Sequence, residues 1–157
     1  MVRLANLPQA EREAHLGRIA SLPTFEGRPW IRGKPLAQRR VAIVTTAGLH
    51  VRGDQPFESN GGMDYRVIPG EAASAGLVMS HASVNFDRSG FQSDLNVVFP
   101  LDRLKELVRD KLIGALAAFH YSFMGATAPI TRYEAKAREL ASLLKQDRVD
   151  AVLLTPV

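Results

Sequence analysis

The sequence predicts an α/β fold with a largely parallel sheet flanked by helices and an extended, basic, Pro/Gly-rich N-terminal arm. Three observations carry that expectation. Apolar runs and helical periodicities alternate along the chain. The clearest strand candidates, Val41–Val44 and Val149–Leu154, are continuously apolar apart from Asp150 near the start of the second, as strands covered on both faces are. The 157 residues are 46% hydrophobic and 23% charged, an ordinary balance for one domain with its own core. The expected organisation is a helix and arm over residues 1–38 and an α/β domain over residues 39–157, read as the N-terminal part of a longer domain.

Each element has a local reason. Gln9–Ala20 follows Pro8, which suits a helix start, and places His15 on the surface. Pro23, Gly27, Pro29, Gly33 and Pro35 then crowd thirteen residues, a density that forbids regular structure; Phe25 and Trp30 are the expected anchors of this arm. Val41–Val44 is a buried strand running into a turn, Thr45–His50. Gly53–Gly62 is a loop, Tyr65–Ile68 a second strand closed by Pro69–Gly70, and Gly76–Ser80 a third that meets His81. Residues 82–96 read as irregular, with Asp87, Asp94 and Asn96 in polar positions. Leu101–Arg109 is a helix with Leu101, Leu104, Leu107 and Val108 on one face, Asp102 in the first turn and Arg109 in the last. Ile113–Phe123 is ambiguous between strand and helix and is assigned to a strand. Thr131 with Glu134 predicts a capping box, opening a helix to about Asp147. Val149–Leu154 is another buried strand, followed by Thr155-Pro156-Val157.

Composition narrows the chemistry. With no cysteine, residues 1–157 offer no disulfide, thiolate zinc site or thiol nucleophile. The net charge of +4 is uneven. Residues 1–40 carry eight Lys/Arg against three Asp/Glu, and the remainder twelve against thirteen. The basic excess belongs to the arm and lacks the interleaved aromatics of a single-strand binder, so no nucleic-acid role is expected. No apolar run reaches the ~20 residues of a membrane span, and the N-terminus does not read as a secretory signal. A cytoplasmic location is the expectation.

In open α/β sheets, ligands bind beyond the carboxyl ends of the strands. Thr45, Thr46, Gly48 and His50 follow one strand, Ser80 and His81 another, and His120, Tyr121 and Ser122 lie near the end of a third. Convergence of these histidines with an aspartate would give an acid–base or metal site, but their spacing matches no metal motif and none is expected. Gly-x-Gly-x-x-Gly after a strand, a Walker loop, His-Glu-x-x-His and Gly-x-Ser-x-Gly are all missing.

Several segments together resemble the glycine/sarcosine/betaine/D-proline reductase selenoprotein B family. They are Val41–His50 with Gly53–Phe57, Tyr65–Pro69, Ser80-His81, Asp94–Leu104 and His120–Gly125, in that order, spanning about residues 38–157. The resemblance implies a subunit of a complex that reductively cleaves a C–N bond of D-proline, glycine, sarcosine or betaine with electrons from a thiol donor. It also implies a partner subunit carrying a pyruvoyl group, and an oligomeric assembly. The family's selenocysteine or cysteine, in a Sec/Cys-x-x-Cys arrangement, would follow Val157, so the chain reads as cut at a UGA codon and holds no cofactor of its own. Under this resemblance His50, His81 and His120 are candidates for proton transfer. Asp54 and Asp94 would orient an imidazole or a cationic amine, and Thr45, Thr46 and Ser122 would donate hydrogen bonds to substrate. The alternative is a non-catalytic, partner-binding subunit that keeps the fold without the redox centre.

Overall fold

A computed structural model describes residues 3–24, 26–27, 30–58, 63–83, 88–125 and 130–157. The chain divides into two compact units, Met1–Trp30 and Ile31–Val157. The first contains helix α1, Gln9–Ala20, in which no residue is buried. Trp30 is 89% exposed and therefore does not anchor the arm as expected; Phe25 lies outside the described residues.

The second unit is built on a five-stranded sheet formed by β1 (Arg40–Thr45), β3 (Tyr65–Pro69), β5 (Ala115–Leu116), β6 (Phe119–Phe123) and β7 (Ala151–Thr155). β1 lies at its centre and pairs in parallel with β7 along one side. Along its other side it pairs with β5 at its start and with β6 at its end, also in parallel. β3 joins the far side of β6 antiparallel, so the sheet is mostly parallel. Two antiparallel strands, β2 (Leu49–Val51) and β4 (Leu77–Met79), form a separate ribbon. Helix α2 (Ser89–Ser93) precedes α3 (Leu101–Arg109), and α4 (Glu134–Gln146) leads into β7. Among the described residues no helix is long and apolar enough to cross a membrane.

Alternation along β1 assigns the two faces of the sheet. Val41 and Ile43 point into the larger core with Ile68, Phe99, Leu101 and Leu104, the face that α3 covers. Val44 points the other way, to a smaller cluster of Tyr121, Phe123 and Leu140 beneath α4. Tyr65 stacks there against Tyr121 and Phe123 with ring centroids 5.6 and 5.5 Å away.

Several expectations change. The apolar run 113–123 is one strand broken in two. Val41 pairs with Leu116 and Val44 with Tyr121, so three steps on β1 face five on its neighbour and residues 117–118 bulge out. The end of the predicted turn, Leu49-His50, is instead the start of β2. Residues 82–96, expected to be irregular, contain α2 and a short 3₁₀ turn at Leu95–Val97; Asp87 lies outside the described residues.

The predicted capping box does not form. A 3₁₀ turn, Ile130–Tyr133, takes the place of an N-cap, and Glu134 instead holds Arg138 at 2.7 Å. Finally, β7 is apolar but not buried: Val152, Leu153 and Leu154 are 39, 37 and 68% exposed. Burial of a strand depends on the layers above and below it, and α3 and α4 pack over β1 and β6 instead.

Candidate functional site

Parallel pairing brings the carboxyl ends of β1, β6 and β7 to one edge, and the polar side chains there act chiefly on main chain. The Thr45 hydroxyl donates to the carbonyl of Val98 at 3.0 Å, with the Thr155 carbonyl a second acceptor at 3.2 Å, and it accepts from the Ala47 amide. The Thr155 hydroxyl donates to the same Val98 carbonyl at 3.0 Å. Thr46 accepts from the Val157 amide at 2.8 Å and lies 3.3 Å from the Val157 main-chain oxygen. The fully buried Ser122 hydroxyl accepts from the Leu49 amide at 2.8 Å. The three hydroxyls predicted to meet a substrate thus fasten β2 and β7 to the sheet.

Two glycines close this edge. Gly48 has φ +65°, and a Cβ on it would lie 3.1 Å from the main chain of His81. A Cβ on Gly125 would stand 2.8 Å from Cβ of Thr46 and 3.1 Å from the Val157 oxygen. Only glycine permits this approach of the 46–48, 81 and 125 backbones.

The structure separates the three histidines by role. His120 lies near the start of β6, not its carboxyl end, and is fully buried beside Phe99, with ring centroids 5.8 Å apart. The bulge at 117–118 carries the neighbouring carbonyls away from Ile43, and His120 Nδ1 accepts the Ile43 amide at 3.0 Å instead. That bond fixes the hydrogen of the neutral ring on Nε2, and among the described residues Nε2 has no hydrogen-bond partner. Burial lowers the His120 pKa to about 4. His50, on β2 opposite Val78, is buried with Nδ1 3.0 Å from the Val51 carbonyl. His81 stands at the carboxyl edge beside Gly48; its Nδ1 accepts from the Ser83 amide at 3.1 Å and its carbonyl accepts from Arg88 at 2.7 Å. Burial first, then the Arg88 charge, lowers its pKa.

Neither predicted aspartate orients a histidine in any described contact. Asp54 is exposed and accepts from the Gln55 amide at 2.8 Å in the turn after β2. Asp94 accepts from the amide and the side chain of Asn96 at 2.9 and 2.8 Å, bonds that hold its carboxyl below the usual range. Asn96 in turn accepts from the Asp102 amide at 3.1 Å at the start of α3. Pro100 has no side chain able to cap, and Asn96 does so from outside the helix. Among the described residues no group of three His, Asp or Glu side chains could hold a metal ion.

Three features escaped the sequence reading. Asp147, beyond α4, bonds Arg40 on β1 and the Ala118 amide of the bulge at 2.6 Å. Tyr65 donates to Glu139 at 2.6 Å, and burial, aided by that carboxylate, pushes its pKa up to about 12. A cleft of about 490 Å³ opens between β7 and α4, lined by apolar side chains including Val44, Phe123, Leu140, Val152 and Leu154. Only an alternating charge pattern at 134–139 could have hinted at the second; the others depend on long-range pairing.

Comparison with known proteins gives a consistent picture. The pattern of the family described as glycine/sarcosine/betaine reductase selenoprotein B (GRDB) matches residues 24–157. D-proline reductase subunit gamma of Acetoanaerobium sticklandii is 37% identical over 123 residues, covering 78% of this chain and 50% of that protein. Glycine reductase complex component B subunit gamma of Symbiobacterium thermophilum is 30% identical over 126 residues, covering 78% of this chain and 29% of its own length. Betaine reductase complex component B subunit beta of Peptoclostridium acidaminophilum is 29% identical over 126 residues, with the same coverages. The chain thus spans half or less of the length of these relatives. No solved structure matches it.

Proposed function

The chain belongs to the glycine/sarcosine/betaine reductase selenoprotein B family, and on that premise we propose that it forms part of a subunit of a dithiol-dependent reductase complex. The reaction is reductive cleavage of a C–N bond in a small amino acid or amine, of the D-proline or glycine/sarcosine/betaine type. The observation that carries this reading is the family match over 24–157, which takes in every strand of the sheet.

The cleavage takes up two electrons and two protons. The carbon gains a hydrogen, the nitrogen leaves as an amine, and a dithiol becomes a disulfide. Residues 1–157 contain no cysteine, so the redox selenocysteine or cysteine is proposed to lie beyond Val157, and the pyruvoyl group on a partner subunit. The present residues supply the scaffold. The Thr45, Thr46 and Gly125 contacts direct the chain leaving β7 along the carboxyl edge of the sheet, the side on which α/β folds hold ligands. Of the three histidines, His81 is best placed to serve there. Its lowered pKa keeps the ring neutral near pH 7, able to accept a proton or orient an amine. His120 and His50 are engaged with the main chain.

The test is made on the polypeptide as its own cells produce it. Intact mass and selenium content report the redox residue. The complex is then offered D-proline, glycine, sarcosine and betaine with a dithiol. Dithiol-dependent amine or 5-aminovalerate formation is expected, reduced at least tenfold by His81→Gln. Lack of product from all four substrates would defeat the reading. The absence of cysteine from these residues favours one rival, a partner-binding subunit without redox chemistry; a complex that turns over equally well without this polypeptide would establish it.

A further inference from the structure

β7 has the composition of an interior strand and the position of an edge. Ala151-Val-Leu-Leu-Thr155 is apolar on both faces, Leu153 on the α3 side and Val152 and Leu154 on the α4 side, and each of these three is more than a third exposed. The Thr46 amide donates to the Thr155 carbonyl, so in the parallel register of β1 with β7 the main-chain groups of Ala151, Leu153 and Thr155 face β1 and the amides of Val152 and Leu154 face outward. Among the described residues β7 pairs only with β1.

The opposite edge of the sheet is different. β3 carries Arg66 and ends in Pro69, two of the devices by which proteins keep an edge from pairing. β7 has neither. Beside it, the cleft of about 490 Å³ is lined by apolar side chains and two polar ones, Thr46 and Tyr133. The Tyr133 hydroxyl is already bonded to the Met124 carbonyl. Among the described residues none that lines the cleft is charged, a lining suited to apolar side chains.

We propose that a further strand of the same polypeptide pairs with the outer edge of β7, and that its connection fills the cleft against α4. The choice of occupant follows from length. The matched stretch is half of the D-proline reductase subunit and 29% of the glycine reductase subunit, so a family polypeptide has at least as much chain again outside it. A strand added in parallel needs a crossover of a dozen or more residues, usually a helix, which must lie on one face of the sheet. The α4 face of β7 provides an apolar seat for one. The inference rests on family membership and strand geometry, not on the reductase chemistry.

Hydrogen exchange followed by mass spectrometry tests it, comparing recombinant 1–157 with the polypeptide purified from its own cells. The peptide spanning 150–157 is expected to exchange at least a hundredfold more slowly in the native polypeptide. Recombinant 1–157 should bind a hydrophobic dye, and Val152→Lys with Leu154→Lys should reduce that binding without loss of the helical signal. Four outcomes overturn the proposal. Exchange could be equal in the two forms, or the native polypeptide could have the mass of residues 1–157. Protection could vanish when partner subunits are stripped away, assigning the seat to another chain. Or protection in 1–157 could rise with concentration together with a dimer mass, assigning it to a second copy. A failed reductase assay would leave all four readouts intact.

Discussion

Acidification should weaken this protein through His120 before it reaches ordinary carboxylates. The ring is buried in the α3-side core, its Nδ1 is the acceptor for the Ile43 amide, and burial depresses its pKa to about 4. Unfolding returns it to the ordinary histidine value of about 6.5. The folded pKa is the lower one, so between those values the unfolded chain binds more protons and stability rises with pH. The neutral ring's contribution is therefore complete above about pH 6.5 and is lost as pH falls toward 4. The full displacement corresponds to about 3 kcal/mol, of which about 2 kcal/mol is lost between pH 7.5 and 5.0. Urea unfolding at both pH values measures it, with His120→Asn as reference. Asparagine offers the Ile43 amide an oxygen near the Nδ1 position and does not titrate. The variant should be less stable at pH 7.5 because it leaves a void, yet its pH 7.5-to-5.0 loss should be smaller than the parent's by about 2 kcal/mol. Equal losses in the two proteins would refute the assignment, since titration of every other group cancels in the comparison.

Further substitutions probe the clamps. Gly125→Ala should cost about 1–3 kcal/mol, read by thermal or urea unfolding, because its Cβ would meet Thr46 and the Val157 oxygen. Asn96→Ala should cost about 1 kcal/mol by uncapping α3, whereas Asp94→Ala should cost less because its carboxylate is exposed and acts through Asn96. Tyr65 should remain un-ionised at pH 11 in a phenolate absorbance titration, given its pKa of about 12, and Glu139→Gln should lower its midpoint by removing the adjacent charge.

What the sequence reveals and what it hides divide along one physical line. Helix α3 runs Leu101–Arg109, the bounds its own periodicity predicts, since spacing and terminal charges are local. β1 and β3 are similarly legible from short β-rich runs bounded by turn residues. The bulge at 117–118 is not legible, because it exists only through pairing with β1. The exposure of β7 has the same origin: its residues read as buried, and only the layers around the sheet decide whether they are. The polar residues predicted at strand ends do gather at the carboxyl edge in the case of Thr45, Thr46, Ser122 and His81. A hydroxyl beside a strand end has main-chain amides within reach, however, and no local pattern tells whether it binds them or a ligand.

The segment Asp94–Leu104, one of those that resemble the family in sequence, is therefore best understood as architecture. Asp94 holds Asn96, and Asn96 caps α3. Val98 offers one carbonyl to the hydroxyls of both Thr45 and Thr155, and Phe99 packs beside His120. One run of eleven residues thus ties together the start of α3, the ends of β1 and β7, and the histidine that fills the gap in β6. A substitution there should act at a distance, changing the direction in which the chain leaves β7 as well as the stability of the core. If the redox residue follows β7, Asn96 and Thr45 variants should lower turnover with KM unchanged, because they displace the nucleophile and leave the substrate's own contacts in place. A raised KM at constant kcat would place these residues against the substrate instead.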